Sequence, residues 1–203
     1  MGGTILGDDG KARCRWCATV PEFLPYHDQE WGFPVADDRR LFEKLSLEGF
    51  QAGLSWRTIL AKRENFRAAF QDFDFERVAR FTGRDVERLL KDAGIVRHRG
   101  KIEAVLHNAR CAKALVRREG SLAAFIWRYE PDPASPGKPQ TASTSAESVA
   151  LSKALKKLGW RFVGPTTVYA FMQAMGLIND HVAGCVVRAQ VERARNRFKR
   201  PGR

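Results

Sequence analysis

Acidic residues are scarce in this chain. It carries 23 Asp and Glu against 35 Lys and Arg, a formal net charge of +12 over 203 residues. That balance disfavours a polycationic partner and favours a polyanion, of which nucleic acid is the commonest. Part of the excess sits in a basic tail, residues 188–203, with Arg188, Arg193, Arg195, Arg197, Lys199, Arg200 and Arg203, but the body stays basic without it. Long apolar runs are missing: none approaches the ~20 residues of a membrane span, so no membrane partner is expected. Cysteine is limited to four residues. With no stretch resembling a signal peptide, this points to a reducing compartment, not a disulfide framework. Alternating strands and internal repeats are not evident. Residues 1–12 read as a short disordered leader.

What is present is helical periodicity in a length that suits one domain with a sizeable core. Val86, Leu89, Leu90 and Ala93 recur at i, i+3, i+4 and i+7, as do Ile102, Val105, Leu106 and Ala109, and then Leu122, Phe125, Ile126 and Tyr129. Asp37 and Ser55 are suited to cap helices through Leu41 and Leu45 and through Ile59 and Phe66. Val168 to Met175 is apolar on nearly all sides, which predicts a buried helix. The Pro-rich stretch at about 130–146 predicts a surface loop. The expected class is therefore all-α, with a helical domain over 13–187.

Three groups of residues carry chemistry. Cys14, His27, His181 and Cys185 form a complete tetrahedral zinc set, which would join the two ends of the domain and leave no open position for catalysis. His181 and Cys185 are spaced to share one face of a helical turn. Cys17 makes Cys14, Cys17, His181 and Cys185 an alternative set, and unrelated thiols beside a core histidine a third reading. In the second group, Gly94 and Gly100 bracket a basic turn between two amphipathic helices at about 85–116. This is the plan of a helix-hairpin-helix, with Gly94 as the C′ residue of the first helix. The turn's backbone N–H groups and Arg97, His98, Arg99 and Lys101 suit a DNA phosphate. An ordinary helical hairpin with a solvated basic turn is the alternative. In the third group, Glu48 with Trp56, Tyr26 and Trp16 suits a slot for a flat, cationic ring, although such aromatics also serve as core residues.

The same residues resemble the type I 3-methyladenine DNA glycosylases of bacteria. The matching words are Tyr26-His-Asp-Gln-Glu-Trp-Gly32, Leu47-Glu-Gly49 with Gln51-Ala-Gly-Leu-Ser-Trp56, Asp92-Ala-Gly-Ile-Val-Arg-His-Arg-Gly-Lys101, Leu151-Ser-Lys-Ala-Leu-Lys-Lys157, Phe162-Val-Gly164, and Asn179-Asp-His181 with Gly184-Cys185. The resemblance implies a helix-hairpin-helix glycosylase fold and a structural zinc on Cys14, His27, His181 and Cys185. It implies a base pocket of Glu48, Tyr26 and Trp56 with Trp16 nearby, and hydrolysis of the N-glycosidic bond of 3-methyladenine in double-stranded alkylated DNA. Alkylation makes the nucleoside cationic, so its base leaves neutral and needs little acid catalysis. Glu48 would hold the base edge and Trp56 would stack on it. Lys101 matches a hairpin position, so a phosphate contact is expected of it instead of a lyase role, and a monofunctional enzyme is expected. A monomer in the bacterial cytoplasm, associated with the nucleoid through DNA, completes the expectation. Two other classes stay in view: a zinc-stabilised DNA-binding module without catalysis, and a glycosylase for another lesion. Phe50 stands where the family words usually carry Gln, which bears on packing or on the wedge that replaces a flipped base.

Overall fold

A computed structural model describes residues 3–132 and 138–202. Two short strands, β1 (Thr4–Leu6) and β2 (Ala12–Cys14), open the chain and pair antiparallel with Thr4 opposite Cys14. Helices follow: α1 (Phe23–Gln29), α2 (Asp38–Gln51), α3 (Trp56–Ala61), α4 (Arg63–Ala69), α5 (Phe75–Val78), α6 (Gly83–Lys91), α7 (Arg99–Glu119) and α8 (Leu122–Ile126). Beyond the Pro-rich loop come α9 (Ala146–Lys157), α10 (Pro165–Ala174) and α11 (Arg188–Arg197). The mostly helical expectation holds, and no helix is long and apolar enough to cross a membrane.

The hairpin corrects the expected disordered leader and the expected lack of strands. Each strand is only three residues long, too short for alternation to register. Its order comes from elsewhere. Arg13 donates to Asp9 at 2.7 and 2.8 Å and to Asp28 at 3.0 and 3.1 Å. The N–H of Val186, from the other end of the domain, donates to the Ala12 carbonyl at 2.8 Å.

Helix α2 runs through the middle of the core. Asp37 caps it by accepting from the Arg40 N–H at 2.8 Å, and Leu41 through Phe50 are all buried. Burial on every side is possible because its charged residues are paired: Glu43 with Arg67 at 2.8 Å and Lys44 with Glu48 at 2.8 Å. Helix α10, the predicted apolar helix, packs against α2 and α9. The segment after α10 turns at Gly176, whose φ is +79°. A Cβ there would lie 2.5 Å from the Phe33 and Pro34 backbone, so only glycine fits.

The α6–α7 pair forms as predicted, but its turn differs in detail. Helix α6 is capped by Thr82 and Asp85 and ends at Lys91, with Asp92 as its C-cap. Gly94 is therefore not its C′ residue. Instead, its N–H is held by the Asp92 side chain at 2.7 Å. Lys62 donates to the Ala93 and Gly94 carbonyls at 2.9 and 3.2 Å, which pins the turn to the end of α3. His98 caps α7 by accepting from the Lys101 N–H at 3.3 Å. Gly100 lies in the first turn of α7, past its start at Arg99.

Within the expected Pro-rich loop, residues 130–132 and 138–145 lie outside the helices, α9 already begins at Ala146, and 133–137 lie outside the described residues. The basic tail is not a loose appendage. Helix α11 buries Val191 and Arg195, and Glu130 pairs with both Arg195 and Arg200 at 3.1 and 2.8 Å. Arg195 also donates to the Gly176 carbonyl.

Candidate base pocket and metal cluster

Four elements converge on a pocket of about 160 Å³. Helix α1 supplies Tyr26, α2 supplies Lys44, Glu48 and Gln51, the first residue of α3 supplies Trp56, and α10 supplies Ala170 and Gln173. Trp16 and Trp31 close one side. A cavity of roughly 150 Å³ already accepts a benzene ring. A wider hollow of about 340 Å³, lined by Phe81, Glu103, Arg110 and Arg161, has its charged side chains at the surface. The smaller pocket buries its own: Lys44 and Glu48 are 5 and 6% exposed. Ser55, whose hydroxyl accepts from the Thr58 N–H at 3.2 Å, starts α3 and so fixes Trp56 at the pocket wall.

The four expected pocket residues are therefore brought together. The Tyr26 and Trp56 rings lie 5.2 Å apart, and Trp16 meets Trp31 edge-on at 5.1 Å. Among the described residues, the indole N–H of Trp56 is buried without an acceptor. Sequence reasoning missed Lys44. Its ammonium lies 2.8 Å from Glu48 Oε1, donates to the Tyr26 hydroxyl at 2.8 Å and sits 3.4 Å from the centroid of the Trp56 ring. The available signal was its i, i+4 spacing from Glu48 on one helix. Burial lowers the Lys44 pKa, against the opposing pull of Glu48. Burial, with the charges of Glu48 and Glu30, raises that of Tyr26 well above the usual phenol value.

Of the expected phosphate contacts, Arg97, His98 and Arg99 are exposed on the α6–α7 turn, with Gly94 and Gly100 partly exposed beside them. Arg99 is bridged to Glu87 at 2.7 Å and Glu103 at 3.5 Å. Lys101 departs from expectation. Its side chain is buried and its Nζ donates to the Phe50 and Ala52 carbonyls at 2.9 and 2.5 Å. A cation on the last carbonyls of α2 satisfies orphan acceptors and opposes the negative end of the helix dipole. Lys101 thus fastens α7 to the loop that leads from Glu48 to Trp56. Phe50 is likewise a core residue, 1% exposed and packed on Phe66 and Phe70 at ring distances of 4.6 and 6.0 Å.

Cys14, His27, His181 and Cys185 are all buried, and their ligand atoms lie within 4.8 Å of one another. His181 Nδ1 is 3.2 Å from His27 Nε2, 3.6 Å from Cys185 Sγ and 3.7 Å from Cys14 Sγ, and Cys185 Sγ is 3.6 Å from His27 Nε2. Ion–ligand lengths of about 2.0–2.1 Å to nitrogen and 2.3 Å to sulfur give tetrahedral edges of about 3.3 Å for N–N and 3.6 Å for N–S. The donor set fits such an ion. The outer ring nitrogens are also placed for it: His27 Nδ1 meets Asp28 at 2.7 Å, and His181 Nε2 meets the Trp31 carbonyl at 3.0 Å. Each contact turns the other nitrogen's lone pair toward the cluster. The hydrogen bond between the two thiols pushes Cys185 well below the usual thiol range and Cys14 above it. Cys17 instead donates its S–H to the Cys14 carbonyl at 3.0 Å. One expectation fails: His181 and Cys185 do not share a helix. They converge through a turn closed by Cys185 N–H on the Val182 carbonyl at 3.1 Å, with Gly184 at φ +84°, a conformation that interrupts a helix.

A family model for methyladenine glycosylases matches residues 16–189. The chain belongs to that family. The DNA-3-methyladenine glycosylase 1 of Escherichia coli K12 is 49% identical over 177 residues, covering 85% of this chain and 95% of its own length. The Haemophilus influenzae DNA-3-methyladenine glycosylase is 44% identical over 177 residues, with coverage of 85% and 96%. Among solved structures, a crystal structure of 3-methyladenine DNA glycosylase I superposes with a TM-score of 0.80 at 48% identity, covering 86% of this chain and 98% of that one. A Staphylococcus aureus 3-methyladenine DNA glycosylase I, solved to explain its recognition of 3-methyladenine, gives a TM-score of 0.78 at 38% identity, covering 85% and 95%.

Proposed function

We infer that this methyladenine glycosylase removes 3-methyladenine from alkylated DNA by hydrolysing its N-glycosidic bond. The observation that carries the reading is the grouping of buried Glu48 and Tyr26 with half-buried Trp56 around one pocket, in a chain of this family. The flipped base stacks on Trp56, the Glu48 carboxylate accepts from its N–H edge and attracts its positive charge, and the Tyr26 hydroxyl completes the polar edge. Trp16 holds the far wall of the slot. Because the base is already a cation, its departure as a neutral ring relieves charge, and the pocket's work is to hold it out of the stack. Stacking on an aromatic supplies roughly 1–3 kcal/mol per base.

The α6–α7 turn acts as a helix-hairpin-helix. The backbone N–H groups between Gly94 and Gly100, with Arg97 and Arg99, bind phosphate of the duplex, while His98 holds the start of α7 in place. Lys101 serves by position, joining this unit to the pocket loop. With its Nζ spent on two carbonyls, it is not the amine of a lyase, which supports a monofunctional enzyme; a monomer is proposed as its working unit. The metal is a structural zinc on Cys14, His27, His181 and Cys185: four protein ligands leave no position for substrate. It supplies no step of the reaction and holds α1, with Tyr26, against the C-terminal segment.

Base release from methylated DNA, resolved by chromatography, tests the reading. The protein is expected to free 3-methyladenine, and Glu48→Gln to lose excision while keeping duplex binding. Because that variant leaves Lys44 buried without its partner, a cost of about 3–5 kcal/mol is expected, so rates must be compared on protein shown to be folded. Failure of folded protein to release 3-methyladenine would sink the assignment and leave a binding module or another lesion.

A further inference from the structure

We propose that Lys44 is a place-holder cation, occupying the position on Trp56 that the damaged base takes and thereby setting the threshold for entry to the pocket. This rests on the base-pocket reading above. Three observations support it. First, the ammonium lies 3.4 Å from the Trp56 ring centroid, at the separation of a stacked aromatic layer and well inside the range of cation–π attraction. A ring stacked on that face and the Lys44 Nζ exclude one another. Second, the ammonium already engages the two polar groups a base would use, Glu48 Oε1 and the Tyr26 hydroxyl, each at 2.8 Å. Third, the side chain is 5% exposed, on a helix buried along its length, so the pair is held by a built environment and not by a surface encounter.

The Trp56 face of the pocket thus carries an internal mimic of the ligand: a positive charge lying against an indole face and paired with a carboxylate. A base that enters must displace the ammonium from the ring and from both oxygens. A cationic purine compensates for the loss through its own attraction to Glu48. A neutral purine brings no charge to the exchange. Lys44 therefore holds undamaged bases below the binding threshold and costs the damaged base some affinity. It positions and screens, and takes no part in bond cleavage.

Lys44→Gln and Lys44→Met remove the charge, the first retaining a hydrogen-bonding group beside Glu48 and Tyr26, the second retaining only the stem's bulk. The probes are 3,9-dimethyladeninium, a permanent cation whose N9-methyl replaces the sugar, and neutral 9-methyladenine, followed through tryptophan fluorescence on protein of verified fold. Both variants are expected to bind each purine about tenfold more tightly than the parent. On methylated DNA, KM should fall with kcat little changed, the signature of a lost ground-state competitor. Unchanged or weaker binding of 3,9-dimethyladeninium by a folded variant overturns the proposal, because Lys44 is then a base ligand or a structural ion. The underlying reading fails separately: it falls if the parent protein releases no 3-methyladenine, whatever the variants do.

Discussion

Replacing Phe50 tests whether the residue belongs to the core or to the DNA-facing surface. It sits two residues beyond Glu48, where a residue could touch a flipped base or the gap it leaves. The structure instead buries its ring to 1% exposure between Phe66 and Phe70. Burial of a Phe side chain contributes about 1.5–3 kcal/mol, and each aromatic pair adds about 0.5–1.5 kcal/mol. With some of the cavity left open, Phe50→Ala is expected to cost about 4 kcal/mol, within the usual range for such truncations. For a chain of this size that lowers the melting temperature by about 8–16 °C. Phe50→Gln fills part of the space but buries an amide without a partner, which adds a penalty of about 1–3 kcal/mol to the lost packing. Phe50→Leu conserves most of the volume and should cost less than about 1.5 kcal/mol. Urea melts of the three variants would give the free energies, and excision per folded molecule should stay near that of the parent. A loss below about 1 kcal/mol in Phe50→Ala, together with weakened duplex binding, would refute the core placement and return the ring to the DNA-facing surface.

Cys185→Ser should release the metal, measured as stoichiometry by atomic absorption, and lower the melting temperature, while Cys17→Ser keeps it. Both sets contain Cys185, so it is loss of metal in Cys17→Ser that would favour the set built on Cys17. Acidification should act on the same cluster. Arg13 and His27 hold the Asp28 carboxyl below its usual value, opposing the effect of burial, so its contribution is complete above the unfolded value of about 3.9 and is lost as pH falls through the folded one. Protonation of the ligands adds to this loss, and metal retention followed along an acid titration should fall together with stability. Lys101→Met removes two charge-assisted bonds to the end of α2 and is expected to cost about 1.5–3 kcal/mol each at most. Borohydride trapping on abasic DNA should give no adduct in either Lys101→Met or the parent, and an adduct in the parent would overturn the monofunctional assignment.

The parts legible in the sequence were those written in local pattern. Helix periodicity placed α6, α7 and α10, and Asp37 caps its helix as read, whereas the helix capped by Ser55 stops at Ala61 and the expected continuation through Phe66 is the separate helix α4. Long words shared with a family pointed to Glu48, Tyr26 and Trp56, and the structure gathers them around one pocket. What escaped depends on contacts distant in the chain. The β1–β2 hairpin is too short to show alternation and rests on Arg13, Asp28 and Val186. Lys101 reads as one more basic residue of a turn until α7 packs beside the end of α2, 49 and 51 residues earlier. Lys44 went unread beside Glu48, since spacing alone does not reveal that α2 is enclosed and the pair buried together.

The donor cluster also orders events during synthesis. His181 and Cys185 are made more than 150 residues after His27, yet they complete a set with Cys14 and His27, which flank Trp16 and adjoin Tyr26. A ribosome-bound chain that has finished the α6–α7 turn already carries the backbone proposed to bind phosphate, but the wall bearing Tyr26, although held by Lys44, lacks the anchorage of this cluster until His181 and Cys185 emerge. On the proposed reading, a growing chain touches DNA before it can hold a base, and competence to excise arrives only once His181 and Cys185 are made.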